Sequence, residues 1–376
     1  MRWLAGAALL ALGAVNPPGS TDFAADAREL DRLIAANYAY LDRFPGGTMP
    51  DTPALAAERG AVTDSGSLLH YAEDRIASLA DHHAITGRSF ADSWAVVPSY
   101  SDLWIDATYR ITAVRAGSTA ERAGIVAGDA LVAIGGVPTA QAVAAFWAPT
   151  GLEPSGERAA YAVRVLAAGR RDRPRTLAVD HRGAVRTFTL ASLYANQPAR
   201  PPVTATGMTI RLNNSLGDSA TIAAFDAAMA ALPDRAAVTI DLSDTPSGGN
   251  TSVARAMMGW FVARPTSYQV HQLPSEERET GIARQWIEQV LPRAGKHHSG
   301  RVTVRVSRWT GSMGEGLAIG LAATGARVCG GPMAGLRGAV YDFTLPASGL
   351  RVTFPAERLY TVKGERREQV APQPCR

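Results

Sequence analysis

Cysteine is nearly absent from the chain: Cys329 and Cys375 are the two among 376 residues. So few thiols exclude a cysteine-built metal site. Lysine is as rare, with Lys296 and Lys363 the sole examples, so the basic character rests on arginine. A guanidinium holds its proton at any pH a protein meets, which removes nearly every basic residue as a proton acceptor. Long apolar runs are missing too. The run over residues 3–15 is too short to cross a bilayer, and no other segment reads as membrane-spanning. No low-complexity tract is present, and charge of one sign gathers in a single stretch. Residues 169–186 carry six arginines against two aspartates, without an aromatic platform or nucleic-acid motif. The expectation there is a solvated hairpin, with no nucleic-acid partner.

What remains is the composition of an ordinary globular protein, with 46% hydrophobic and 19% charged residues and a net charge of +4. The length leaves room for two or three domains. Residues 1–19 have one arginine, a short apolar run and small residues before a Pro-Pro-Gly break, the pattern of a secretory signal peptide. The mature chain is expected to start near residue 20, to be exported to a periplasm or secreted, and to have no stable membrane insertion. In an oxidising compartment Cys329 and Cys375 either pair, tying the C-terminal tail to the strand after the Ser312 helix, or stand as two thiols.

Residues 20–100 read as helical. Leu30, Leu33, Ile34 and Tyr38 recur at helical spacing, and Leu69, Ala72, Ile76 and Leu79 line a second helix over 66–80. That helix runs into a polar turn, Asp81-His82-His83. Residues 101–195 switch to short strands. Within 109–143 lie a strand, a Gly-Ser turn, a short helix ending at Gly124, a Gly-Asp turn and another strand. This segment resembles a PDZ domain of bacterial processing proteases. The resemblance implies binding of an extended peptide at a sheet edge, or a PDZ-shaped spacer that positions the active site. Beyond a Pro-rich joint at 196–207, strands at 208–212, 236–242 and 301–307 alternate with helices, and a long polar segment fills 263–300. Such alternation predicts an α/β fold with a mainly parallel sheet.

The chemistry centres on Ser312, between Gly311 and Met313-Gly314 at a strand-to-helix turn. The turn approaches the Gly-x-Ser-x-Gly elbow of α/β-hydrolases, but Thr310 stands at the first glycine. That family also places its histidine after its serine. All seven histidines precede Ser312, so an ordinary α/β-hydrolase is excluded.

The order of four segments resembles the C-terminal processing peptidases and their tricorn-core relatives. They are 236–250 with its Gly-Gly loop, 301–331 with Ser-x-x-Glu, the stretch 341–373, and the PDZ-like region. The resemblance implies a helical N-terminal region over 20–100, a PDZ-like β-rich domain over 101–195, and a crotonase-like α/β core of the ClpP and tricorn kind over 196–376. It implies a serine endopeptidase that needs no cofactor or metal and acts on extended or unfolded polypeptides.

One branch of that family uses a lysine downstream of the serine. Here the nearest basic residue is Arg337, which cannot serve as a base. The other branch takes a histidine from an Asp-x-His pattern, which His83 matches, with His82 as fallback. The adjacent pair His297-His298 reads as solvated. The resemblance puts a glutamate in the C-terminal tail as third member: Glu368, or Glu365. It draws an oxyanion hole from backbone N–H groups of Gly248 or Gly249 and of Met313. Glu315, opening the next helix, is explained by favourable charge at a helix N-terminus. The competing expectations are a catalytically inactive peptide-binding protein that keeps the fold, and an esterase-like hydrolase on the same scaffold. Oligomeric state has no sequence signature here.

Overall fold

Caps written into the sequence start the first helices. A computed structural model describes residues 22–195, 197–233 and 235–375; the signal-peptide reading of 1–19 lies outside them. Helix α1 (Phe23–Asn37) begins at Asp22, whose carboxylate accepts the Ala25 N–H at 2.8 Å. Helix α2 (Pro53–Gly60) has Thr52 as cap and proline at its first position, where the missing N–H costs nothing. Helix α3 (Ser65–Ala77) opens with a reciprocal Asp64–Ser67 capping box. It ends three residues before the position expected from its apolar spacing, and the chain turns at Ala80 with φ of 46°. Leu30, Ile34, Leu68, Ala72 and Ile76 share one core.

On α2, Glu58 has a shielded oxygen with no partner among the described residues. Burial, aided by the charge of Asp74, pushes its carboxyl up to about 7. The folded chain therefore holds a proton there that an unfolded chain gives up at about 4.3. Stability from this site is intact below that value and is lost as pH rises toward 7. Glu58→Gln is expected to melt above the wild type at pH 8, with the gap closing by pH 4. Equal calorimetric midpoints at pH 8 would count against this reading.

The next region is built from short strands. After β1 (Ile85–Thr86) come β2 (Leu103–Ile105) and β3 (Ile111–Val114), paired antiparallel. Then follow α4 (Thr119–Arg122), β4 (Ala130–Ile134), β5 (Val137–Pro138), α5 (Thr139–Trp147), α6 (Glu157–Ala168), β6 (Arg175–His181) and β7 (Ala184–Leu190). The second sheet has the antiparallel order β5–β4–β6–β7. Trp147, Leu131, Val143 and Leu177 fill the core beneath it. The arginine-rich hairpin is not solvated throughout. Arg175 is buried and donates to Asp102, at 2.8 Å for one of its contacts. An isolated charge could not be buried there; the carboxylate makes it possible.

The remaining elements form two sheets. The first uses β8 (Val203–Thr206), β9 (Thr209–Leu212), β10 (Val238–Asp241), β13 (Val302–Arg305) and β14 (Arg327–Cys329), in the order β14–β13–β10–β9–β8. All its pairings are parallel except the β8–β9 edge hairpin. Helices α7 (Ala220–Ala230), α8 (Thr251–Met258) and α10 (Met313–Ala323) connect these strands, and α10 lies almost entirely buried. The polar segment over 263–300 carries regular structure. It forms β11 (Thr266–Gln272), α9 (Pro274–Thr280) and β12 (Gln285–Val290), where one face of each strand meets solvent and masks the apolar period. The second sheet joins these to a C-terminal hairpin, β15 (Ala339–Thr344) and β16 (Arg351–Tyr360), in the order β1–β16–β11–β12 with β15 on β16.

That hairpin brings the two ends of the chain together. Leu345, Leu350, Val352 and Phe354 complete the core of the N-terminal helices. Each such side chain contributes about 1.5–3 kcal/mol when fully buried. Pairing of Ile85 with Thr353 and of Thr86 with Val352 fixes the segment just after His83. The tail is fastened once more by a disulfide between Cys329 and Cys375. Both alternatives had been open in the sequence; the structure pairs them.

Candidate active site

Ser312 sits between β13 and α10 with φ 53° and ψ −120°. A non-glycine residue is strained in that conformation, and it persists where its surroundings over-determine it. Here Gly311 donates to the Thr245 carbonyl at 3.0 Å, and Thr310, fully buried, donates to Leu242 O at 2.8 Å. A Cβ on Gly311 would fall 2.6 Å from Pro246 O, so this approach requires glycine. Glu315 holds the other side. Its carboxylate is fully buried and accepts the N–H of Ser312 at 2.9 Å, of Gly335 at 2.9 Å and of Leu336 at 3.2 Å. Its role is therefore larger than a helix-end charge. Burial pushes its carboxyl up to about 7, against the opposing pull of Arg367 and the three N–H donors.

His83 arrives from the turn after α3, 229 residues earlier in the chain, and its Nε2 lies 2.9 Å from Ser312 Oγ. Its Nδ1 lies 2.5 Å from the carbonyl oxygen of Arg337. A carbonyl only accepts, so Nδ1 carries the proton and Nε2 is the free acceptor facing the hydroxyl. Ser312 thus donates to His83. Burial, with the positive charge of Arg367 as the next cause, pulls the imidazole down to about 4. The turn is itself braced: Asp81 accepts the His83 backbone N–H at 3.0 Å and the Tyr38 hydroxyl at 2.7 Å. Arg43 donates to the same hydroxyl at 2.7 Å.

The other predicted residues separate clearly. His82 turns away and stacks on Tyr161 with ring centroids 4.5 Å apart. Glu368 does not hold the imidazole; the Arg337 carbonyl occupies that position instead. Glu368 lies on the short 3-10 turn Arg367–Gln369, where its charge acts on Tyr40. Glu365 is exposed, its backbone N–H on Thr361 Oγ1 at 3.3 Å. Of the pair His297-His298, the second is buried with its ring on the Ala236 carbonyl at 2.9 Å, which corrects the solvated reading.

Gly248 and Gly249 sit in the loop after β10, which bridges to the serine turn at Thr245–Thr310. Gly248 has φ of 101°, and a Cβ there would fall 2.9 Å from Gly217 N. Ser247 N–H is anchored on Asn214 Oδ1 at 2.8 Å, whereas the N–H groups of Gly248, Gly249 and Met313 have no hydrogen-bond partner among the described residues. Unspent N–H donors are what a developing oxyanion requires, and Met313 directly follows Ser312 in the chain. Among the described residues no cluster of metal-ligating side chains occurs, and no helix is long and apolar enough to cross a membrane.

Comparison with known proteins adds the fold. A PDZ domain model matches residues 110–145. The photosystem II D1 C-terminal processing protease superposes with a TM-score of 0.56 at 15% identity, covering 94% of this chain and 93% of that one. Mature CPAF gives 0.58 at 14% identity, with 94% and 92% covered. The chain shares the fold of these two structures. No curated protein matches the chain in sequence. Two participants escaped sequence reading. The Arg337 carbonyl is a backbone group and leaves no residue signal. Glu315 was visible in Ser-x-x-Glu, but its partners lie 20 and 21 residues further on.

Proposed function

We propose that the protein is an exported serine endopeptidase that cleaves extended or unfolded polypeptides through Ser312 and His83. The observation that carries this reading is the hydroxyl 2.9 Å from an imidazole nitrogen whose proton sits on the opposite side of the ring. In the proposed cycle Ser312 Oγ attacks the scissile carbonyl carbon while His83 Nε2 takes its proton. The carbonyl oxygen becomes an oxyanion and receives the N–H of Met313 and of Gly248 or Gly249. His83 then returns the proton to the leaving amine, the C–N bond breaks, and water hydrolyses the acyl-enzyme by the same relay. The PDZ-type segment and the neighbours' processing-protease fold support a polypeptide substrate.

A second reading, a peptide-binding protein without turnover, draws on one observation: Nδ1 faces a neutral carbonyl rather than a carboxylate. The purified chain from residue 20 separates the two when incubated with an unfolded casein. Ser312-dependent fragments are expected from the peptidase; intact casein after prolonged incubation would favour the binding protein. The pH dependence tests the base. His83 is neutral above about 4, so kcat/KM should hold down to pH 5 and fall through a limb centred near 4. A limb near the ordinary histidine value of about 6.5 would contradict the enclosed imidazole. Export is tested by N-terminal sequencing of the secreted protein, expected to begin near residue 20.

A further inference from the structure

Arg367 is among the largest buried side chains, only 2% exposed, and lies just beneath the loop that faces His83. Its Nη2 donates to Leu336 O at 2.9 Å and to Gly338 O at 2.7 Å. The carbonyl between those two is that of Arg337, which accepts from His83 Nδ1. The same loop is gripped from the other side by Glu315, through the N–H groups of Gly335 and Leu336. Thus the loop around Arg337 is gripped from both sides, through two N–H groups by Glu315 and through two carbonyls by Arg367, and the Arg337 carbonyl between them faces the imidazole.

The arrangement is costly for a merely structural contact. Arg367 forms no ion pair among the described residues, and its Nε is buried without a partner. An apolar side chain would fill such a space more cheaply. Nor can Arg367 meet substrate or exchange protons, since it is enclosed and keeps its charge.

We propose that Arg367 is a positioning residue: by bridging the Leu336 and Gly338 carbonyls it aims the Arg337 carbonyl at His83 and keeps the imidazole in the tautomer that accepts from Ser312. This rests on the peptidase reading of the same site. The fixed positive charge acts in the same sense, disfavouring the imidazolium in the resting enzyme. The other charged group acting on the ring is Asp81 on its own turn, and Glu315 on α10 faces the Ser312 N–H. Neither replaces the bridge, because neither reaches the Leu336 and Gly338 carbonyls.

The test compares Arg367→Met and Arg367→Lys with the wild type, each with its melting midpoint measured to establish folding. Misplacing a reacting group by about an ångström costs on the order of 10²-fold. Arg367→Met should therefore lose about 10–100-fold in kcat with KM within about twofold, the acid limb of kcat/KM moving to higher pH. Arg367→Lys keeps the charge but lacks the planar fork that spans two carbonyls. It should lose kcat while the limb stays near the wild-type value. Imidazole ¹⁵N spectra should show His83 protonated at Nδ1 in the wild type and a mixed tautomer in Arg367→Met. A folded Arg367→Met with wild-type kcat overturns the proposal, as does one whose kcat falls while both limb and tautomer stay unchanged. The spectra remain informative even if the wild type has no turnover, so failure of the peptidase reading is seen separately.

Discussion

His83→Ala lowers kcat by about 10⁴–10⁶-fold, Ser312→Ala does the same, and the double variant loses nothing further. The non-additivity follows from the geometry. Among the described residues Ser312 Oγ has one proton acceptor, His83 Nε2 at 2.9 Å, and without it the hydroxyl attacks as a neutral alcohol. Without the hydroxyl the imidazole has nothing to activate. What survives is transition-state binding by the free N–H groups of Met313 and the Gly248-Gly249 loop. His82→Ala provides the contrast, because that ring stacks on Tyr161 and forms no bond to Ser312. Its kcat should remain within about tenfold of the wild type, well short of the loss from removing the base. Casein turnover by variants matched for circular dichroism decides this. An active His83→Ala beside an inactive His82→Ala would reverse the assignment.

Glu315→Ala is expected to damage both stability and catalysis. The carboxylate is fully buried and accepts three backbone N–H groups, those of Ser312, Gly335 and Leu336. Removing it leaves those donors unpaired in the interior, at about 1–3 kcal/mol each. Urea unfolding should report a loss of about 3 kcal/mol or more. Catalysis suffers because two constraints go together. Ser312 loses one of the bonds that hold its strained φ of 53°, and the loop carrying the Arg337 carbonyl loses its grip near His83. A drop of about 10²–10³-fold in kcat is expected. Glu315→Gln keeps one acceptor oxygen and should fall between alanine and wild type. Wild-type kcat in a folded Glu315→Ala would show that the buried carboxylate serves the helix end alone.

The pair at the centre was legible in the sequence for a chemical reason. Proton acceptors are few in this chain: two lysines, and seven histidines that all precede Ser312. The resemblance to the processing peptidases implies an Asp-x-His pattern, which Asp81-His82-His83 carries with His83 at the matching position. The third member was not legible. The resemblance implies Glu368 in the tail, but position in sequence does not reveal that the Arg337 carbonyl reaches Nδ1 instead. A carbonyl exists at every residue, so no composition marks the one that matters. The architecture divides in the same way. Locally capped helices and the buried strands around 238–241 and 302–305 announced themselves. The hairpin β11–β12 did not, because its exposed faces are polar. Nor did the packing of Phe354 and Val352 against the N-terminal helices, which depends on contacts between opposite ends of the chain.

The central claim is that His83 activates Ser312 in the folded protein, and a fluorophosphonate tests it most directly. Intact-mass measurement and peptide mapping should find one adduct per chain, on Ser312. The labelling rate should fall in acid with a midpoint near 4, where His83 takes its proton. No adduct should form in His83→Ala under the same conditions. Failure of the folded wild-type chain to label, or equal labelling of Ser312 with and without His83, would contradict the account.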